Sequence, residues 1–242
     1  EDKMRIAKAL DEIGIPEIEV GMPSVSEQEQ ESIKAIAKAG LKAKIRVVCM
    51  AIKGDIDLAV SCGAQIAVVS LPAGYLQIEH KIRWPEAKIL ETAVNLTNYA
   101  HQQGLEVVFS PMDTTRSDAD FLERYLKTVV KDGHADRVRI TDTCGAAIPL
   151  AIKYLVKKIA GITHRPVEIH THDDFGLATA NILAGLEAGA SVASTTMIGI
   201  GERSGNALTE EVALALRILY DVDLGLELGK FYETARLIQE IT

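Results

Sequence analysis

Short apolar strands that alternate with amphipathic helices predict an α/β fold, and the number of these units favours a (β/α)8 TIM barrel. The strand segments are near-continuous apolar runs, as in parallel strands that are buried on both faces. One opening helix is followed by seven strand–helix units at regular spacing, so a barrel would lack only its first strand in these residues. The alternative is an open, doubly wound sheet, but no Gly-x-Gly-x-x-Gly sequence follows an early strand.

The helices are marked by their periodicity and by the residues that begin and end them. Apolar residues at helical spacing predict an opening helix over residues 1–13, which Gly14 ends. The acidic stretch after Ser26 begins the second helix, Gly104 stops the fourth and Pro149 begins the sixth. The helices after the first are predicted over residues 26–37, 55–62, 85–103, 118–131, 149–160, 177–187, 209–220 and 231–241.

The strands are marked by short runs rich in Val and Ile. They are predicted over residues 15–20, 45–49, 66–71, 105–110, 138–141, 167–172 and 191–198. The last helix carries an apolar stripe, which we expect to cover the outside of the barrel or a partner subunit. The stripe consists of Phe231, Ala235, Ile238 and Ile241.

Composition limits the class of protein. The 242 residues are 48% hydrophobic and no low-complexity linker divides them, so residues 1–242 are expected to form a single domain. A formal net charge of -8 argues against a nucleic-acid partner. Three widely spaced cysteines indicate neither a disulfide framework nor a structural zinc site, which fits a reducing, cytoplasmic location. No apolar run approaches about 18 residues, so we expect neither a signal peptide nor a membrane span in this stretch.

The stretch 168–176 holds the main candidate site. His170 and His172 are two apart in a predicted strand, so their side chains lie on one face. Two adjacent imidazoles suit a divalent metal, and the polar turn after them places the pair at the carboxyl end of a strand, where barrels hold their chemistry. Asn206, in the last glycine-rich loop, could offer a neutral oxygen to the same metal. The alternative is that the histidines are exposed polar residues at a strand end.

Other polar residues follow the predicted strands and would converge on the same mouth of a barrel. Glu19 and Asp142 could serve structural hydrogen bonds rather than chemistry. Arg116 is expected to cap a loop by pairing with Asp118 or Asp120. The remaining candidates at strand ends are Cys49, Met50, Ser70, Ser110, Asp113, Thr141, Thr143, Glu202 and Arg203.

Six short motifs lie at the predicted strand ends and in the loops after them. They are HTHDDFGLATAN at 170–181, GIGERSGN at 199–206, EVGMP at 19–23, FS at 109–110, DTTRSD at 113–118 and TDTCG at 141–145. These motifs strongly resemble those of the metal-dependent acyl-CoA condensing barrels, which are the homocitrate, 2-isopropylmalate and citramalate synthases with a pyruvate carboxyltransferase domain. The related hydroxymethylglutaryl-CoA lyase is similar too, but it has a catalytic cysteine in the last glycine-rich loop, where this sequence has Glu202-Arg203.

The resemblance implies a Claisen condensation of acetyl-CoA with a 2-oxo acid by a homodimeric acyltransferase. It also implies a divalent metal, Zn, Mn or Mg, held by His170 and His172 with Asn206 close by, and by an acid on a first strand whose motif these residues lack. Relative to that family, the barrel would be incomplete at its amino terminus and would lack a carboxyl-terminal subdomain. The expected catalytic residues are Glu19, Thr143 and Glu202, and the expected substrate-binding residues are Ser110, Met50, Met112 and Ile198.

Departures from the family bear on the choice of 2-oxo acid. Met50, Met112 and Ile198 stand where many relatives have polar groups, and Val108 stands where lysine-pathway homocitrate synthases carry an arginine. A buried carboxylate without a partner is costly, so a short or apolar 2-oxo acid is expected in preference to 2-oxoglutarate. The alternatives are carbon–carbon cleavage by a lyase or aldolase at the same metal, and a non-catalytic barrel.

Overall fold

The computed structural model describes residues 1–242 as one sheet of seven parallel strands with helices packed on its outer side. Strands pair in chain order from β1 to β7. The strands are β1 Glu17–Glu19, β2 Lys44–Cys49, β3 Ile66–Pro72, β4 Glu106–Met112, β5 Arg137–Asp142, β6 Val167–Thr171 and β7 Val192–Ser194. The helices are α1 Asp2–Ile13, α2 Glu27–Ala37, α3 Lys53–Ser61, α4 Glu86–Gln102, α5 Ala119–Asp132, α6 Pro149–Thr163, α7 Ala178–Glu187, α8 Thr209–Leu219 and α9 Phe231–Ile241.

The sheet curls into a barrel that is open between β7 and β1. Strand β1 pairs with β2 alone, and β7 pairs with β6 alone. Side chains nevertheless meet across the lumen. Arg46 of β2 contacts Glu168 of β6 at 2.9 Å, and Arg139 of β5 contacts Glu19 of β1 at 2.7 Å. Such contacts need a sheet that folds back on itself, so the predicted barrel is confirmed over an open, doubly wound sheet.

Every predicted strand and helix is present, with differences at the ends. Strands β1 and β7 have three residues each and are shorter than predicted, and the predicted end of β7 is instead a 3-10 turn in which Ile198 has a left-handed backbone. A π-helical segment, Gln77–Ile82, and 3-10 turns at Thr114–Arg116 and Met197–Gly199 were not predicted. They lie in loops and leave the order of elements unchanged. No helix combines the length and the apolar composition that a bilayer crossing needs.

The inner face of the barrel carries charges, which corrects the expectation that the strands are apolar on both faces. Arg46, Arg137 and Arg139 all donate hydrogen bonds to Glu168, which is completely buried. Burial alone would raise the pKa of Glu168, but the charges of Arg139 and Arg46 lower it to about 2. We call this set the lumen network, and it consists of Glu17, Glu19, Arg46, Glu106, Arg137, Arg139 and Glu168.

The apolar core lies between the sheet and the helices. A cluster of 44 buried residues includes outward-facing strand residues such as Val47, Val69 and Ile140. A second cluster joins α1, α8 and α9 and includes Ile13 and Phe231. The apolar stripe of α9 therefore covers helices of its own chain, which confirms the first of the two roles predicted for it.

The three cysteines are free thiols. Cys49 and Cys62 are buried, whereas Cys144, in the loop after β5, is partly exposed. Burial raises the pKa of the Cys49 thiol to about 12, so this thiol is neutral at physiological pH.

Candidate active site

His170 and His172 project from the end of β6 at the barrel mouth. Their ring centroids are 5.0 Å apart, and the ring planes are nearly perpendicular, at 89°. The Nδ1 atom of His170 lies 3.1 Å from the hydroxyl oxygen of Ser194 on β7. His172 is only 7% exposed. The predicted same-face pair is present, and neither ring is an exposed strand-end group.

Both imidazoles are held neutral. Burial lowers the pKa of His170 to about 3, with a further contribution from the charge of Arg139. Burial, and then the charge of Arg203, lower the pKa of His172. A metal binds the neutral form of an imidazole, so both rings are in the protonation state that a ligand needs.

Asn206 lies opposite His172 in an isolated antiparallel bridge. Its Nδ2 donates to the carbonyl oxygen of Ile200 at 3.2 Å, whereas its buried Oδ1 has no hydrogen-bond partner. The Nδ1 atom of His172 is also buried without a partner. Buried polar atoms are nearly always paired, so two unpaired atoms on facing residues fit a bound group. The structure has no set of three His, Cys, Asp or Glu side chains able to hold a metal, so an ion here would need the amide oxygen of Asn206 and further ligands.

Glu19, at the end of β1, belongs to the lumen network. Its carboxylate accepts a hydrogen bond from Arg139 at 2.7 Å and lies 3.4 Å from Arg46. Burial would raise its pKa, but the charges of Arg139 and Arg46 lower it, so the carboxylate is ionised. The contacts of Glu19 match the structural role that the sequence left open, and its catalytic role stays a prediction.

The polar residues at the ends of β4 and β5 mainly hold their loops in place. Ser110 and Thr141 share a hydrogen bond of 3.1 Å inside the barrel. The Thr143 hydroxyl accepts a hydrogen bond from the backbone N–H of Asp113 at 2.9 Å. Asp142 is completely buried and accepts three hydrogen bonds from nearby loop residues. Asp142 therefore has the structural role that was one of its two interpretations.

Arg203 joins the last glycine-rich loop to the loop after β6, a connection that the sequence analysis missed. Its guanidinium donates to the carboxylate of Asp174 at 2.7 and 2.8 Å, and to the carbonyl oxygen of Thr143 at 2.7 Å. The neighbouring Glu202 side chain is 78% exposed. The signal for this pairing was an arginine in one strand-end motif and two adjacent aspartates in another.

Arg116 pairs with Asp113, not with Asp118 or Asp120 as predicted. Its Nε and Nη2 donate to the Asp113 carboxylate at 2.9 and 2.7 Å. Asp118 is already engaged, because its carboxylate caps α5 by accepting from the N–H groups of Asp120 and Phe121. The predicted structural role of Arg116 is thus correct, but its predicted partners are wrong.

The apolar residues predicted to line a 2-oxo acid pocket are not all brought together. Met50 and Met112 are partly buried at the ends of β2 and β4. Ile198 has a left-handed backbone, with φ of 53°, and packs against the second apolar cluster. The structure therefore does not support a place for Ile198 beside Met50 and Met112.

Comparison with known proteins gives a consistent result. The sequence model of the HMGL-like family matches residues 1–238. Homocitrate synthase AksA of Methanothermobacter thermautotrophicus is 43% identical over 242 residues, covering 100% of this chain and 62% of that protein. The probable 2-isopropylmalate synthase of Ignicoccus hospitalis is 43% identical over 243 residues, covering 100% of this chain and 61% of that protein.

Among solved structures, the HMG-CoA lyase of Bacillus subtilis superposes with a TM-score of 0.85 at 21% identity. That match covers 99% of this chain and 85% of the lyase, and it shows a shared barrel fold. The chain thus spans about three fifths of the length of the two synthases, 62% and 61%.

Proposed function

The chain belongs to the HMGL-like family, and from this membership we propose that it carries the site of an acyltransferase that condenses acetyl-CoA with a 2-oxo acid. The reaction removes a proton from the methyl group of acetyl-CoA and joins that carbon to the keto carbon of the acid. Hydrolysis of the thioester then releases CoA. Relatives with 43% identity are named as synthases, which supports synthesis over cleavage.

The observation that carries this proposal is the pair of unpartnered atoms at the mouth, Nδ1 of His172 and Oδ1 of Asn206. Together with neutral His170, they would hold a divalent Zn, Mn or Mg ion. When bound, such an ion supplies Lewis-acid polarisation of the keto carbonyl. Ser194 fixes the orientation of the His170 ring, as residues behind metal-binding histidines usually do.

The other candidate residues differ in whether their side chains are already bonded to other parts of the protein. Glu19 and Thr143 are engaged in protein contacts, with Arg139 and with the backbone of Asp113. Glu202 is exposed, and its carboxylate is 3.5 Å from Arg203. We keep all three as proposed catalytic residues, and Ser110 as a proposed substrate contact.

The 2-oxo acid is proposed to be short or apolar, because Met50 and Met112 offer no partner to a second carboxylate. A missing partner for a buried charge costs several kcal/mol, whereas a methylene in an apolar pocket is worth about 1–3 kcal/mol. Charge should therefore outweigh chain length. A thiol-release assay on the complete gene product should show at least about tenfold higher kcat/KM for pyruvate or 2-oxoisovalerate than for oxaloacetate or 2-oxoglutarate.

A clear preference for 2-oxoglutarate would reject this substrate assignment and restore that of a homocitrate synthase. Release of acetyl-CoA from a hydroxyacyl-CoA, without condensation in the forward assay, would instead favour the lyase or aldolase. Absence of both reactions would leave the non-catalytic barrel.

We also propose that the protein acts in the cytoplasm as a homodimer. The three free thiols fit a reducing compartment. Helix α9 is engaged with its own chain, so the dimer contact would lie elsewhere. Helix α8 offers exposed apolar side chains at Ile218 and Leu219, which are 71% and 75% exposed.

A further inference from the structure

The last glycine-rich loop, residues 199–206, is bonded to itself. The backbone N–H of Asn206 donates to the carbonyl oxygen of Gly199 at 3.1 Å, so the two ends of the loop meet. The N–H of Gly205 donates to the carbonyl oxygen of Glu202 at 3.0 Å. A loop whose ends meet and whose backbone is bonded internally moves as one piece. A shift at its tip would therefore also shift Asn206.

Arg203, at the tip of this loop, connects it to two neighbouring loops. Its Nε and Nη2 atoms donate to the carboxylate of Asp174, in the loop after β6, at 2.7 and 2.8 Å. Nη2 also donates to the carbonyl oxygen of Thr143, in the loop after β5, at 2.7 Å. We call these three hydrogen bonds the Arg203 clasp. The backbone adds a bond nearby, from the N–H of Asp173 to the carbonyl oxygen of Gly205 at 3.0 Å.

The Arg203 clasp lies close in the chain to both candidate ligands that have unpaired atoms. Asp174 comes two residues after His172, and Asn206 comes three residues after Arg203. His172 and Asn206 face each other in an antiparallel bridge, and each has one buried polar atom without a partner. These two ligands belong to different loops, so the distance between them depends on how the loops are held together.

The backbone of Arg203 indicates that its side chain matters. Its φ of 57° lies in the left-handed region, which is unfavourable for every residue except glycine. The turn alone would therefore favour glycine at position 203. Surface ion pairs generally contribute little, but a guanidinium that meets a carboxylate through two parallel hydrogen bonds fixes geometry as well as charge. The contact of Arg203 with Asp174 is of this second kind.

We propose that Arg203 is a positioning residue, which holds Asn206 opposite His172 through the Arg203 clasp. This inference rests on the proposed function, because that function assigns a divalent ion to these two residues. In this role Arg203 acts through the two loops that it joins, and its own charge is neutralised by Asp174.

Position and charge predict opposite effects of the Arg203→Ala substitution. A guanidinium repels a cation, so its removal would tighten metal binding if charge alone mattered. Loss of the Arg203 clasp would instead weaken metal binding, because Asn206 would no longer be held in place. Asp174→Asn weakens binding in both cases. The double variant separates them, since it restores the balance of charge but leaves the loops unconnected.

The first measurement is calorimetric titration of the metal-free, complete gene product with Zn²⁺. We expect Arg203→Ala and the double variant to raise the Kd at least about tenfold, and Arg203→Lys to restore it only in part, because an ammonium lacks the planar fork. The matched control is Arg124→Ala. Arg124 of α5 makes the same two-bond contact with Glu86 of α4, at 2.9 and 3.0 Å, on the outside of the barrel. Its loss should leave the Kd unchanged.

Two further readouts separate positioning from general stability. Urea unfolding should give similar midpoints for Arg203→Ala and Arg124→Ala, whereas the visible absorption of bound Co²⁺, which reports the arrangement of its ligands, should change in Arg203→Ala alone. Hydrogen exchange at the amide of Asp173 should be faster in Arg203→Ala. Arg203→Gly, which suits the left-handed backbone, replaces Arg203→Ala if the latter does not fold.

Unchanged or tighter Zn²⁺ binding in Arg203→Ala would overturn the proposal, and so would recovery of wild-type affinity in the double variant. A wild-type protein that binds no more Zn²⁺ than His170→Ala/His172→Ala does would reject the metal site of the proposed function. Exchange at the Asp173 amide decides the role of Arg203 even then, because wild-type exchange in Arg203→Ala would show that the arginine does not fix the loop.

Discussion

The candidate site at the barrel mouth is marked by buried polar atoms that have no hydrogen-bond partner. His172 and Asn206 are buried and face each other, and each leaves one polar atom unpaired. His170, by contrast, has one nitrogen fixed by Ser194 and a pKa of about 3, so its ring is oriented and neutral. These features support the ligand site that we propose at the barrel mouth.

At this scale we predict that His170 and His172 bind one divalent ion. The double variant His170→Ala/His172→Ala should lose stoichiometric metal, because two of the proposed ligands are removed and the remaining amide oxygen is a weak one. Elemental analysis of the complete gene product after dialysis is the measurement. The control is His80→Ala, since the His80 side chain is 65% exposed. Equal metal content in the double variant and the control would reject the assignment.

The His pair could be predicted because its two-residue spacing fixes a shared face in any strand. The partner of Arg116 could not, because the choice depends on Asp118 being used as a helix cap. Nor could the direction of Ile198, because its left-handed backbone interrupts the alternation that a strand would follow. Sequence periodicity carries information about regular backbone, and it fails where the backbone departs from it.

Among the elements, the loop between β5 and α6 supports the histidine loop most closely. Gly145 has φ of +57°, and a Cβ there would lie 2.8 Å from the carbonyl oxygen of His172 and 2.9 Å from the N–H of Asp174. Both neighbours are backbone atoms, so neither can rotate away. The two loops can pack this closely only with glycine at position 145.

We predict that Gly145→Ala destabilises the protein more than Gly104→Ala does. Both glycines have positive φ, which costs about 1–2 kcal/mol for alanine, but position 104 has no atom within 4 Å of a built Cβ. The clash at position 145 should add about 1–3 kcal/mol and displace His172, lowering metal affinity as well. Urea unfolding and metal titration of both variants are the measurements. Equal losses of stability would show that the contact at position 145 relaxes at no cost.

The elements themselves were well predicted, whereas the charges on their inner face were not. Glycine and proline residues mark the ends of the helices and strands, and the spacing of apolar residues tells helix from strand. The bounds predicted in this way agree with the structure to within a few residues. The lumen network had a signal too, since Glu17 and Glu19, like Arg137 and Arg139, are charged at a spacing of two. What the sequence could not show is which of these charges meet across the lumen, because that depends on the curvature of the whole sheet.

For the whole molecule, the lumen network connects strands that are far apart in the chain. Glu168 accepts from Arg46 at 2.9 Å, from Arg139 at 2.6 Å and from Arg137 at 3.3 Å. We expect Glu168→Gln to destabilise the protein by about 3–5 kcal/mol, because three buried guanidinium groups lose their shared countercharge. Urea unfolding is the measurement.

The matched control for Glu168→Gln is Glu123→Gln. The Glu123 carboxylate also lies near two cations, Lys127 and Lys158, but on the surface, where ion pairs contribute little. A loss of stability in Glu168→Gln no larger than that in Glu123→Gln would show that the network is neutral for folding.

We also predict that the whole molecule assembles as a homodimer. Sedimentation at micromolar concentration should show a dimer, and replacing exposed Ile218 with Lys should weaken it if the apolar face of α8 forms the contact. The exposed Lys157→Glu substitution on α6 is the control for a change of surface charge. A strict monomer in the unmodified protein would reject the homodimer.

The lumen network also has a consequence for the behaviour of the fold in acid. In the folded protein, against the opposing effect of burial, the charges of Arg139 and Arg46 hold the pKa of Glu168 at about 2, below the ordinary value of a glutamate. A carboxylate whose pKa is lowered by folding contributes stability above its unfolded pKa, and that contribution is lost as the pH falls through the folded pKa. The ion pairs inside the barrel should therefore persist at a pH that protonates the exposed carboxylates of the surface.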